Sequence, residues 1–390
     1  MMSHPLASRL DQIAPFHVME ILKMAKALEQ QGRHLIHMGI GEPDFTAPPA
    51  VVDAAASAMR DGRLQYTTAL GIPELRSAIA KHYRDAFNVE VPEHRIIVTA
   101  GASAALLLAC GALVQPGAEV LMPDPSYPCN RHFVAAFEGK AKLVNSGAEQ
   151  RYQLSAAAVR EHWTAQTAGV LLATPSNPTG TTIQPDELKA ILQEVRARDG
   201  FAIVDEIYQG LTYDHAPSTV LTIDQDAIVI NSFSKYFSMT GWRLGWMVVP
   251  EHMVAAVEKL AQNWFICPSS IAQYAAVACF EPQQIAIFEA RKAEMQTRRD
   301  YLVPALRELG FSIPVTPDGA FYVYANCSAL TDDADHFAKD VLQKAGVVIT
   351  PGQDFGPFTA KDHVRFSYAN SLDNLKEAVR RLAEYLKQGS

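Results

Sequence analysis

Five short apolar runs, each followed by a polar or glycine-rich turn and then a helix-like segment, fix most of what this chain can fold into. They lie at 95–99, 119–122, 169–173, 201–204 and 227–230. Runs this apolar leave no wet face, so they read as strands covered on both sides. The chain between consecutive runs is long enough for a crossover helix. That predicts an α/β fold with a mainly parallel sheet flanked by helices. Segment 184–199 is one such crossover, with Leu188, Ile191, Leu192 and Val195 forming its buried stripe.

Outside this repeat the texture changes. Segment 16–31 puts Val18, Ile21, Leu22, Ala25 and Leu28 on one helical face, with Gly32 placed to end it. Segment 285–309 is charged, helical and long enough to link two lobes. Short strands follow at 321–324, 347–349 and 364–367. The last helix carries Leu375, Val379, Leu382 and Leu386 on one face, with Ser371 as its N-cap. We expect a large domain over 46–284 and a smaller α/β domain built from 1–45 and 285–390.

Composition excludes several functions. With 390 residues, 48% of them hydrophobic and 19% charged, the chain reads as an ordinary globular protein. A net charge of -8 argues against a nucleic-acid partner. Five scattered cysteines without C-x-x-C spacing suggest a reduced, cytoplasmic protein with no zinc site. No apolar run is long enough to span a membrane, and Lys23, Lys26 and Glu29 interrupt any signal-peptide core.

Open parallel sheets carry their functional groups just beyond the carboxyl ends of the strands. The unusual residues of this chain fall there. Lys235 follows the run 227–230 inside Asn231-Ser232-Phe233-Ser234-Lys235, and Arg243 comes eight residues later. An amine can form a Schiff base, while serine and arginine can hold a phosphate. A lone loop lysine is usually a surface residue, so the reading depends on the other pieces. Small residues at 99–105 open a helix whose N–H groups could bind phosphate, or pack closely for structural reasons alone. Asn177 sits in Thr174-Pro175-Ser176-Asn177-Pro178-Thr179-Gly180, where it could simply shape the turn. Asp205 and Tyr208 follow the run 201–204. An acid there could keep a pyridine nitrogen protonated, and the phenol could donate to a cofactor oxygen. Glu206 reads as a bystander. Arg365 alternates with Val364 and Phe366, either lining a cleft, where it could grip a carboxylate, or standing on a solvated edge.

Three rival motifs are weaker. Residues 202–206 resemble the magnesium-binding strand of P-loop NTPases, but G-x-x-x-x-G-K-[ST] is absent. Gly39-Ile40-Gly41 lacks the third glycine of a dinucleotide fingerprint. His34 and His37, in an extended segment, would face opposite ways, which disfavours a shared metal.

In this order, the pieces strongly resemble the class I/II aminotransferases of the fold-type I pyridoxal-phosphate enzymes. The match runs from Gly39-Ile40-Gly41-Glu42-Pro43-Asp44-Phe45 to Arg365-Phe366-Ser367. Its most specific parts are 176–180, Asp205-Glu206-Ile207-Tyr208 and Ser232-Phe233-Ser234-Lys235 with Gly241-Trp242-Arg243-Leu244-Gly245. The resemblance implies pyridoxal 5′-phosphate bound covalently to Lys235. Ala102, Ser103, Ser232 and Arg243 would hold its phosphate, and Tyr127 would stack on its ring. Asp205 would meet the ring nitrogen, and Asn177 with Tyr208 the phenolic oxygen. Tyr66 would reach the phosphate of a neighbouring subunit, which implies a homodimer with shared active sites. Gly41, Asn177 and Arg365 would seat the substrate carboxylate, with Lys235 as general base.

Substrate choice is less constrained. Relatives that bind dicarboxylates tend to carry a second arginine just before the segment matching Asn263-Trp264, and residues 261–265 hold no cation. We therefore expect an apolar or aromatic L-amino acid as donor, with Phe16, His17, Val18 and Ile40 as pocket walls. The acceptor would be 2-oxoglutarate or pyruvate. Alternatives are an aspartate-type transaminase, a β-eliminating lyase on the same scaffold, or a regulatory module. The last would need a DNA-binding extension that the short stretch before the first helix does not supply.

Overall fold

The computed structural model describes residues 6–388, so the ends of the expected smaller domain, 1–5 and 389–390, lie outside it. Twelve strands are found among the described residues: β1 (Ile36–His37), β2 (Ile96–Thr99), β3 (Glu119–Asp124), β4 (Lys140–Asn145), β5 (Thr167–Ala173), β6 (Phe201–Asp205), β7 (Ile228–Ser232), β8 (Gly245–Val248), β9 (Tyr322–Asn326), β10 (Val347–Val348), β11 (Thr350–Pro351) and β12 (His363–Ser367). Seven form the central sheet in the order β2-β8-β7-β6-β5-β3-β4. Only β8 runs antiparallel to its neighbours. The mainly parallel sheet expected from the apolar runs is present.

Two strands of the central sheet were not expected. Lys140-Ala141-Lys142-Leu143 forms the outer edge, where lysines keep a strand from pairing further. Its charges hide it from an apolar count. The second, β8, begins at the last glycine of Gly241-Trp242-Arg243-Leu244-Gly245, a segment singled out as a motif with no strand expected in it.

Strand alternation fills two cores. Ile203, Leu171, Ile228 and Ile230 join one apolar cluster. Val204, Leu172, Val170 and Val229 join the other, which continues into the C-terminal third. Both sheet faces are therefore dry, as the runs require. Helix Pro185–Arg196 covers one face through the four expected residues. Pro185 begins it, Asp186 and Glu187 sit at its positive end, and Arg196 at its negative end.

The C-terminal third makes a second, three-stranded antiparallel sheet, β11-β12-β9. Separately, β1 pairs in parallel with β10, Ile36 opposite Val347, which zips the N-terminal segment onto the C-terminal third. Helix Pro282–Glu308 runs unbroken for 27 residues, so the expected boundary at 284/285 falls in its first turn. The last helix is Leu372–Gln388, and Ser371 Oγ accepts from the Asn374 N–H as expected of an N-cap. The first long helix starts at Val18 rather than at residue 16, and buries Ile21 and Ala25. No helix of the described residues is long and apolar enough to cross a membrane.

Candidate active site

A cavity of about 300 Å³ opens beyond the carboxyl ends of β5, β6 and β7, against helix Val18–Gln30 and β12. Its lining includes Gly41, Ala102, Ser103, Tyr127, Asn177, Asp205, Tyr208, Ser232, Lys235, Arg243 and Arg365. These are eleven of the twelve residues singled out in the sequence. The twelfth, Tyr66, is 80% exposed and outside the cavity of its own chain.

Lys235 follows β7 after a tight turn. Its Nζ donates to the Gly41 carbonyl at 2.5 Å and lies 5.8 Å from the Tyr208 ring and 5.9 Å from the Phe321 ring. Protein surrounds the amine, although part of the side chain faces the cavity. Burial pulls its pKa down to about 8; Glu42 opposes this, while Arg365 and Arg243 reinforce it. Asp205 closes β6, and its Oδ1 accepts from the Ile207 N–H at 3.0 Å. Burial pushes this acid up to about 7, against the Ile207 bond and the charge of Lys235. An amine poised to lose its proton and a carboxylate thus share one pocket.

Helix Gly101–Leu113 starts at the other end of the cavity, and no side chain caps it. Its first N–H groups are available to an anion. Arg243 reaches over this start: a methyl at position 101 would sit 2.8 Å from Arg243 Nη2. The arginine holds a left-handed backbone (φ 53°) and donates through Nη1 to the Thr240 carbonyl. Ser232 Oγ lies 2.9 Å from Ser234 Oγ. The glycine at 245 lets β8 approach, since a methyl there would lie 2.7 Å from the Asn231 carbonyl and 2.9 Å from the Ala102 nitrogen.

Arg365 is not on a solvated edge. It is 5% exposed, with its guanidinium 4.5 Å from the Tyr322 ring centre and 4.9 Å from that of Phe355. Nη1 donates to Asn177 Oδ1 at 2.8 Å and Nη2 to the Gly39 carbonyl at 2.7 Å, while Nε has no protein partner. A buried, oriented guanidinium beside an amide suits a carboxylate. Tyr208 and Tyr322 join their hydroxyls at 2.8 Å.

The remaining expectations sort cleanly. Phe16, Val18 and Ile40 line the cavity; His17 does not, because the first helical turn spends its N–H on Asp354 and leaves the imidazole exposed. Glu206 is turned away and accepts from the Val220 N–H. His37 pairs with Glu29, whereas His34 faces Arg381. Sequence reasoning missed Leu22, Ser234, Thr240, Thr350, Asp354 and Phe355 in the lining, and Tyr322 behind it. Residues 352–356 carry no periodicity or motif that would mark them.

Comparisons with known proteins point one way. The family model for aminotransferase class I and II matches residues 33–382. A valine–pyruvate aminotransferase of Mycobacterium tuberculosis is 39% identical over 96% of this chain and 97% of its own length. An aspartate aminotransferase of Bacillus subtilis is 33% identical over 99% of this chain and 100% of its own. The crystal structure of an aminotransferase from Mycobacterium tuberculosis superposes with a TM-score of 0.95 at 38% identity, covering 99% of this chain and 100% of that one.

Proposed function

We propose a cofactor and a substrate class on one premise: the chain belongs to the class I and II aminotransferases, enzymes that transfer amino groups. The cofactor in this reading is pyridoxal 5′-phosphate, and the residues present fit it. The uncapped helix start with Ala102, together with Ser103, Ser232 and Arg243, suits its phosphate. Lys235 suits its aldehyde, Asp205 its ring nitrogen, Tyr127 its ring face, and Asn177 with Tyr208 its phenolic oxygen. When bound, the cofactor supplies an electron sink beside the substrate Cα.

The chain's own residues do the rest. Arg365 and Asn177, already joined at 2.8 Å, hold the substrate carboxylate at Gly41. That grip decides which bond at Cα faces the reactive groups. Lys235 takes up the Cα proton as general base and later returns one as general acid. Its depressed pKa suits both tasks near neutral pH. Asp205 holds a proton on the ring nitrogen.

The donor in our reading is an L-amino acid with an apolar or aromatic side chain. The acceptor is a 2-oxo acid such as pyruvate or 2-oxoglutarate, in ping-pong order. One observation carries this: Phe16, Val18, Leu22 and Ile40 wall the cavity, and among the described residues its only cations are Lys235, Arg243 and Arg365. All three are committed elsewhere. An aspartate-type donor is the second reading, favoured by the name of the Bacillus subtilis relative; a lyase is the third. A screen of donors against both acceptors should put leucine, valine or phenylalanine ahead of aspartate by about tenfold or more in kcat/KM. Aspartate far ahead would overturn the donor class, and release of free ammonia would mark a lyase. We further infer a cytoplasmic homodimer in which Tyr66 serves the neighbouring active site, a reading supported by its exposure.

A further inference from the structure

Helix Val18–Gln30 begins without a cap of its own, since His17 offers no side-chain acceptor. The acceptor comes from far away in sequence. Asp354 Oδ1 takes the His17 N–H at 2.7 Å and Oδ2 takes the Val18 N–H at 2.8 Å. Both oxygens of one buried carboxylate thus close the positive end of a helix that lies 336 residues away. Such charge-assisted bonds are the stronger kind. Asp354 is itself fixed, because Arg131 Nη2 donates to its carbonyl at 2.6 Å.

Phe16, just before this helix, and Val18 and Leu22, in its first turns, line the cavity. Phe355, next to Asp354, lies against the Arg365 guanidinium. One short segment therefore touches both the apolar wall and the carboxylate grip. We infer that Asp354 is a specificity-determining positioning residue: by latching the start of helix Val18–Gln30, it holds Phe16, Val18 and Leu22 where a donor's apolar side chain would be buried. The inference rests on the apolar-donor reading above. Asp354 borders the cavity, but both its carboxylate oxygens are taken by the His17 and Val18 N–H groups, so its loss bears on the wall before it bears on the chemistry.

The test uses the holoenzyme and Asp354→Ala. Amide hydrogen exchange at residues 17–20 should quicken by about tenfold or more, with helix Pro185–Arg196 unchanged. KM for leucine should rise roughly tenfold, KM for alanine less than about twofold, and kcat for both should hold, because only the larger side chain uses the wall. Asp354→Asn, the same shape with a single acceptor oxygen, should fall between. Unchanged exchange at 17–20 would refute the latch. Equal losses for leucine and alanine, or a fall in kcat alone, would refute the specificity role. A wild-type preference for aspartate would sink only the donor reading, because the exchange result tests the latch by itself.

Discussion

Lys235 has a basicity that water would not give it. Its value of about 8 comes from burial, and Glu42 keeps it from falling further. The sign is definite: the neutral, reactive amine appears as pH rises through about 8 rather than 10.5, a gain of roughly a hundredfold or more in neutral fraction at pH 7. In cofactor-free protein, competitive acetylation of Lys235 read by mass spectrometry should therefore follow a midpoint near 8. Glu42→Gln should shift that midpoint lower; a midpoint near 10.5 in the wild type would mean that water reaches the amine freely. Lys235 and Asp205 were legible in the sequence because each follows an apolar run, at the carboxyl end of a central strand, and Arg243 because it stands eight residues beyond Lys235. Arg365 was legible only as one of two options. Alternation says which residues share a face, but not whether that face meets solvent or the rings of Tyr322 and Phe355.

Strand β8 shows what an element contributes beyond its side chains. Gly245 brings it against Asn231 on one side and the start of helix Gly101–Leu113 on the other. Gly245→Ala should destabilise the protein by about 1–3 kcal/mol through overpacking, and raise the Kd for pyridoxal phosphate by disturbing that helix start. Gly241→Ala is the control. A methyl there meets nothing within 4 Å, so its effect should stay within about 0.5 kcal/mol. Urea midpoints and cofactor titrations of the two variants check this, and equal effects would contradict it. The elements that sequence reasoning recovered are helices whose period matches a single buried face, such as Pro185–Arg196, and strands apolar enough to be buried on both faces. It missed β4, whose exposed edge alternates lysine with apolar residues, and β8, an apolar stretch that runs straight on from the Gly241-Trp242-Arg243-Leu244-Gly245 motif and reads only as part of it.

At the scale of the molecule, the proposed role of Tyr66, exposed and outside the lining of its own cavity, makes a prediction about pairs of chains. If Tyr66 serves a second copy, defects at 66 and 235 should complement each other. Lys235→Ala should be inactive and Tyr66→Ala impaired. Mixed subunits of the two, dissociated and reassociated, should regain about a quarter of wild-type activity, since half the dimers are hybrids with one intact site. No recovery in verified hybrids would put Tyr66 out of the active site. The pairing of Ile36–His37 with Val347–Val348 has a different consequence, one that concerns birth rather than catalysis. During translation at roughly 5–20 residues per second, the leading segment must wait some tens of seconds before its match leaves the ribosome. Until then Ile36 lacks its native strand partner, so the segment cannot take its final place before nearly the whole chain has been made.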